Sequence, residues 1–315
     1  MKMHWMRRLN VSLLLCGFMA HAMAESSLPT ADSFVVLHER VVELSPEAIK
    51  KTLIVMDDDD TLMMMPCPER KAFEGCQYLG GPAWYSWQTG LFTKNSAFKV
   101  ANNRDQLIEI SALLLSVTNV DYTEKELPDL LEQLTDAGAK LLVLTDRGPN
   151  NVSATARQFK YHTLSGGKYA HFLDLIQQNA LLGKGSAQTN IASPFYCATD
   201  SRPVSYQQGV MYGAGQNKGD MLHCLLEQTQ SDTLEHIFFI DDILQNVIDV
   251  HQAFSGNNPY QMHVMHYTRL QEHKAALTEG PQAAQLQQNA HQRWQAIKNA
   301  LEQNLLAPAV PTTDQ

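Results

Sequence analysis

The sequence predicts an α/β protein, a doubly wound and mostly parallel sheet with two cap insertions. Three apolar runs carry that prediction: residues 52–56, 140–145 and 236–241. Each is a short block of strand-preferring residues without in/out alternation, as expected of strands covered on both faces. Segments of helical periodicity lie between these blocks, and alternating strands and helices point to a parallel sheet with helices on both sides.

The elements follow in order. Residues 33–44 read as a short helix leading into the first strand, Thr52-Leu-Ile-Val-Met56. In residues 124–145, Leu127, Leu130, Leu131 and Leu134 recur at helical spacing. Gly138 then stops the helix and Lys140-Leu-Leu-Val-Leu-Thr145 forms a strand. From Lys218, a helix carrying Met221, Leu222, Leu225 and Leu226 precedes the strand His236-Ile-Phe-Phe-Ile-Asp241. A helix with Val247, Val250 and Phe254 leads to a last strand, 261–267, and residues 281–306 read as a surface helix with a disordered tail from Pro308.

Two stretches, 63–122 and 149–210, exceed the roughly two to six residues of an ordinary strand–helix connection. They are expected as caps over the carboxyl edge of the sheet. Trp84, Tyr85 and Trp87 in the first are expected to build a small core of its own rather than line a pocket.

The N-terminus has the pattern of an export signal. Lys2, Arg7 and Arg8 precede an apolar segment from Leu9 to Ala20, and Ala22-Met23-Ala24 supplies small residues for cleavage. The segment is shorter than the roughly 20 residues a membrane span needs. Residues 1–24 are therefore expected to be removed, leaving 25–315 as an exported chain, periplasmic or secreted. No other segment is apolar enough for a transmembrane helix. The net charge of −9 becomes more negative once the three signal cations are gone. Such a chain is poorly suited to nucleic acid or an anionic membrane. Of the four cysteines beyond the signal, Cys67 and Cys76 are the expected disulfide, while Cys224, at an apolar helix position, is expected as a buried free thiol. No spacing matches a zinc site.

The chemistry concentrates where the first strand ends. Asp57-Asp58-Asp59-Asp60-Thr61 follows it directly. Ligands of open α/β sheets bind beyond the carboxyl ends of the strands. Two carboxylates at 4 Å repel by about 4 kcal/mol at an effective dielectric near 20, so the cluster calls for a cation. The other strand and helix boundaries add Thr145, Lys218 and the pair Asp241-Asp242. Carboxylates, a hydroxyl and an ammonium suit phosphoryl transfer, in which catalysis is mostly positioning and charge neutralisation.

Taken in order, Asp57-x-Asp59-x-Thr61, Thr145, Lys218 and Asp241-Asp242 with Asn246 following resemble the four motifs of the haloacid-dehalogenase-like (HAD) phosphohydrolases. Trp84-Tyr-Ser-Trp87 and Gly209-Val-Met-Tyr-Gly-Ala-Gly-Gln-Asn-Lys218-Gly look similar to a poorly characterised exported branch of them. The resemblance covers roughly residues 50–62, 124–160 and 207–267. It implies a Rossmann-like core and a Mg²⁺-dependent phosphomonoester hydrolase, with Asp57 as nucleophile and Asp59 as acid and base. Thr145 and Lys218 would hold the transferring group. The metal would bind Asp57, the main-chain carbonyl of Asp59, Asp241 and Asp242. Thr61 and Arg147 are candidate substrate-binding residues, although Arg147 could equally pair with a nearby Asp. The substrate would be a phosphorylated small molecule. Two alternatives stand beside this reading: a phosphotransferase, and a non-enzymatic exported interaction protein on the same scaffold. His263 and His266, at odd spacing on a strand, face opposite sides and are not a metal pair.

Overall fold

The computed structural model describes residues 28–69, 71, 73, 75–181, 191–256 and 258–305. The expected signal peptide, 1–24, and the tail from Pro308 to Gln315 lie outside them. The chain enters the sheet at Thr30–Ala31 (β1) and turns into helix Phe34–Val42 (α1), where the Ser33 hydroxyl accepts the Val35 amide. Pro46–Ile49 (α2) starts with Pro at its first position, which lacks the N–H that would go unpaired there. Thr52–Met56 (β2) follows, every residue buried.

Residues 63–122 hold the short strands Met63–Met64 (β3) and Asp121–Tyr122 (β4), with helices Pro82–Thr89 (α3) and Arg104–Val117 (α4) between them. Leu127–Asp136 (α5) leads through Gly138, at φ +107°, into Lys140–Thr145 (β5). Val152–Tyr161 (α6), Phe172–Gln178 (α7), Ser205–Gln207 (β6) and Val210–Tyr212 (β7) come next. The chain finishes with Lys218–Gln228 (α8), His236–Asp241 (β8), Leu244–Ala253 (α9), Gln261–Tyr267 (β9), Gln271–Ala276 (α10) and Ala283–Asn304 (α11).

Among the described residues the main sheet has the order β1-β9-β8-β2-β5-β7-β6. All neighbours are parallel except the edge pair β6 and β7. From β2 the chain moves outward through β5 and β7, then returns to the other side of β2 as β8 and β9. That reversal makes a crevice at the carboxyl ends of β2 and β8.

Alternate residues of the central strands serve opposite layers, which is why no polar alternation appears in sequence. Ile54, Met56, Leu141, Val143, Phe238 and Ile240 pack with Phe34, Leu37, Leu131, Phe159 and Ile176. Leu53, Val55, Leu142, Leu144, Ile237 and Phe239 pack with Met221, Leu222, Leu225, Val247 and Val250. Each such side chain contributes about 1.5–3 kcal/mol when withdrawn fully from water.

The two long stretches differ in their packing. Helices α6 and α7, within 149–210, bury Phe159, Phe172, Leu175 and Ile176 in the sheet's own core, and β6 extends the sheet edge. Residues 63–122 build a separate cluster containing Tyr78, Leu79, Trp84, Leu107 and Leu114. The C-terminal helix α11, expected at the surface, buries one face there through Leu286, Ala290 and Trp294. Their spacing of four places them in one row along the helix.

Cys67 and Cys76 form a disulfide. Cys224 is a correction, since it is bonded to Cys197 rather than free. An apolar helical position suits a half-cystine as well as a thiol, and the partner lies 27 residues away on a loop whose course the sequence did not reveal. No helix of the described residues is long and apolar enough to cross a membrane.

Candidate active site

Strand β2 delivers Asp57 to the crevice, its amide bonded to the Ile240 carbonyl of β8 at 3.1 Å. The chain then folds back on itself. The Asp58 carbonyl accepts the amides of Leu62 and Met63 at 3.0 and 2.9 Å, and the Asp60 amide donates to the Met63 carbonyl at 2.7 Å. Asp60 adopts φ +59°, a left-handed conformation that Asp tolerates better than most residues. This turn explains how four successive aspartates diverge to separate partners.

Lys218 opens α8 behind Asn217, whose side chain accepts the Asp220 amide at 3.1 Å. Its ammonium is almost wholly buried, 2.5 Å from Asp57 Oδ1 and 2.7 Å from Asp241 Oδ2. Asp241 also accepts the Ile243 amide at 2.8 Å and the Asn246 side-chain amide at 3.1 Å. Thr61 closes the arrangement, since its hydroxyl accepts the Asp242 amide at 3.1 Å.

Carboxylate oxygens of Asp57, Asp241 and Asp242 lie within 4.8 Å of one another. Three buried, hard oxygen donors fit Mg²⁺ better than zinc. Burial pushes the Asp57 carboxyl well up against the opposing pull of Lys218, and it pushes Asp241 up to about 6 in the same way. For Lys218, burial works against the charge, yet Asp241 and Asp57 hold it above the usual lysine range. A divalent cation would supply the positive charge these carboxylates lack.

Asp59 turns the other way. Arg147 meets it fork to fork and also bonds Thr155 Oγ1 and Gln158 Oε1 of α6 at 2.8 and 2.7 Å. Arg147 Nη1 lies 3.0 Å from Asp58 Oδ2, an ion-pair contact without hydrogen-bond geometry. Burial pushes Asp58 up to about 7, with Arg147 opposing. Thr145, buried at the end of β5, accepts the Arg147 amide at 3.2 Å.

The structure thus joins Asp57, Lys218, Asp241 and Asp242 directly, and Thr61 through Asp242. Asp59 belongs to a neighbouring pair with Arg147, and its carboxylate is not among the clustered metal donors. Of the two partners foreseen for Arg147, a substrate anion or a nearby Asp, the fold supplies the Asp. His266 contacts the Asp242 carbonyl at 3.2 Å and His263 stacks on Phe238, each on its own side of the strand.

The family model described as "Protein of unknown function (DUF2608)" matches residues 37–307. The chain belongs to the DUF2608 family. No curated protein matches it. Among solved structures, it is similar to a crystal structure of cytosolic 5'-nucleotidase IIIB bound to cytidine. The TM-score is 0.31 and the identity 12%, over 85% of this chain and 93% of that one.

In this DUF2608 chain, some contacts at the site involve residues outside the motifs. Lys274 of α10 forms an ion pair with Asp242. It belongs to no motif, and a lysine on a short helix carries no signal of its own. Thr155 and Gln158 were missed for a related reason, since two polar residues on an amphipathic helix look solvent-facing until the helix is placed. Both are fully buried.

Proposed function

We propose that this chain is a Mg²⁺-dependent phosphomonoester hydrolase of the haloacid-dehalogenase type, working through an aspartyl-phosphate on Asp57. One observation carries the reading: the Lys218 ammonium bridges Asp57 and Asp241 at the sheet's switch point, with Asp242 alongside. A structural ion pair would not need a third buried carboxylate beside it.

Asp57, Asp241 and Asp242 would hold the cation, with the Asp59 main-chain carbonyl as a further oxygen. When bound, Mg²⁺ supplies charge neutralisation for the transferring phosphoryl group. Asp57 attacks phosphorus, which divides one difficult displacement into two easier ones. Lys218 steadies Asp57 and neutralises the equatorial oxygens, and Thr145 borders the group from β5. Asp59 gives a proton to the leaving oxygen and later takes one from water. Arg147 keeps Asp59 in place while each of its oxygens retains a lone pair for that proton. Two disulfides support an oxidising compartment, in line with export to the periplasm or beyond.

The test is Asp57→Asn, assayed for phosphate release from an aryl phosphate with MgCl₂ and again with EDTA. Loss of turnover in a chain that still folds is expected, and EDTA should silence the wild-type chain until magnesium is restored. Turnover near the wild-type rate in Asp57→Asn rules the mechanism out. A substrate-free, folded wild-type chain with no turnover on a broad phosphomonoester panel favours the scaffold reading instead.

A further inference from the structure

Lys274 brings a second ammonium to the acid cluster from an element outside the sheet. Helix α10 is anchored: Leu270, Ala276 and Leu277 are buried in the cluster built by residues 63–122. His273 stacks on Tyr78 with ring centroids 4.7 Å apart and planes 11° from parallel. The Tyr78 hydroxyl donates to the His273 carbonyl at 2.9 Å. This anchorage carries Lys274 onto Asp242. The lysine side chain is 28% exposed and the carboxylate 5%.

A further buried carboxylate lies near this pair. Asp60, 2% exposed in its left-handed turn, has an oxygen without a hydrogen-bond partner and lies close enough to feel both Asp242 and Lys274. Asp242 is shared between two claims. It is one of three carboxylates converging on the cation position, and it is the partner of Lys274. An ammonium beside a divalent cation is repelled, so the two compete for that carboxylate.

We propose that Lys274 is a resident counter-ion of Asp242 that a divalent cation displaces. Lys274 thereby sets the cation affinity and couples occupancy of the site to the position of α10. This rests on the cation site proposed above. By linkage, whatever the lysine takes from cation binding, the cation takes equally from the Lys274–Asp242 pair.

Two measurements on the mature chain test this. Calorimetric titration with MgCl₂ should give a dissociation constant about five-fold tighter for Lys274→Met than for wild type, the scale of one partly exposed ion pair. Lys274→Arg should return it to near the wild-type value. Lys94→Met, at a lysine that lines the same cleft beside Lys274, should leave it unchanged and so separates a specific contact from general field. Reductive methylation of the wild-type chain, read by mass spectrometry, needs no variant to fold. Labelling of Lys274 should rise several-fold with Mg²⁺ while that of Lys94 stays constant. Equal Mg²⁺ affinity in wild type and Lys274→Met, or Lys274 labelling indifferent to Mg²⁺, overturns the inference and leaves the cation site standing. Failure of both chains to bind Mg²⁺ overturns the two together.

Discussion

Arg147 and Asp59 meet fork to fork, Nε to Oδ2 at 2.8 Å and Nη2 to Oδ1 at 2.7 Å. The two residues lie 88 positions apart, at the ends of adjacent strands β5 and β2. Because Arg147 is buried and also holds Asp58, Thr155 and Gln158, it fixes the orientation of the carboxylate proposed as acid and base.

Arg147→Met should therefore damage both stability and chemistry. Removing one partner of a buried pair leaves uncompensated charge and costs about 3–5 kcal/mol. Phosphate release should fall at least about 100-fold, the scale of losing an oriented general acid. Arg147→Lys should recover little, since an ammonium cannot form the planar fork. Thermal melts and steady-state kinetics on the same samples check this.

Thr61→Val keeps the shape but removes the acceptor of the Asp242 amide. A buried N–H left without a partner costs about 1–3 kcal/mol. The expected result is a lower melting temperature together with weaker Mg²⁺ binding, measured by calorimetry.

The pH dependence of stability should weaken with the cation. Without it, burial raises Asp58 from 3.8 to about 7 and Asp241 from 3.8 to about 6, against the pull of Arg147 and Lys218 respectively. Between about pH 4 and 7 the folded chain then holds protons that the unfolded chain has released, and these groups lower stability as pH rises. Mg²⁺ keeps Asp241 ionised and should remove its share of that decline. Melting temperatures from pH 4.5 to 7, with and without MgCl₂, should diverge as pH rises. Parallel curves would refute the prediction.

Gly219 follows Lys218 at the point where α8 crosses α9. A Cβ there would sit 2.5 Å from the Ala253 Cβ and 2.7 Å from the Asp249 carbonyl. Gly219→Ala should cost about 1–3 kcal/mol by overpacking. It should also shift Lys218 and lower turnover beyond what stability explains, checked by activity well below the melting temperature.

The Cys197–Cys224 bridge ties the loop before β6 to α8 across 27 residues. Replacing both cysteines by Ser should lower stability by about 3 kcal/mol, with a wider denatured ensemble as the main cause. Chemical denaturation of the double variant checks it.

The strands β2, β5 and β8 and the helices preceding them were legible in the sequence, because burial on both faces requires apolar runs without polar alternation and each helix keeps its 3.6-residue period. The same logic located Asp57, Thr145, Lys218 and Asp241 at element ends, and a parallel sheet has one carboxyl edge where they must gather. Distance along the chain hid the rest. The Cys197 partner of Cys224, the burial of Thr155 and Gln158 beneath Arg147, and the face of α11 covered by residues 63–122 all depend on how elements pack. Lys274 reaches Asp242 because Tyr78 stacks on His273 and Leu270, Ala276 and Leu277 pack against residues 63–122, contacts between segments with no shared sequence signal. Local pattern determined which residues carry charge and where each element stops. Packing decided which of those charges face one another, since contact in three dimensions leaves no periodic trace in one.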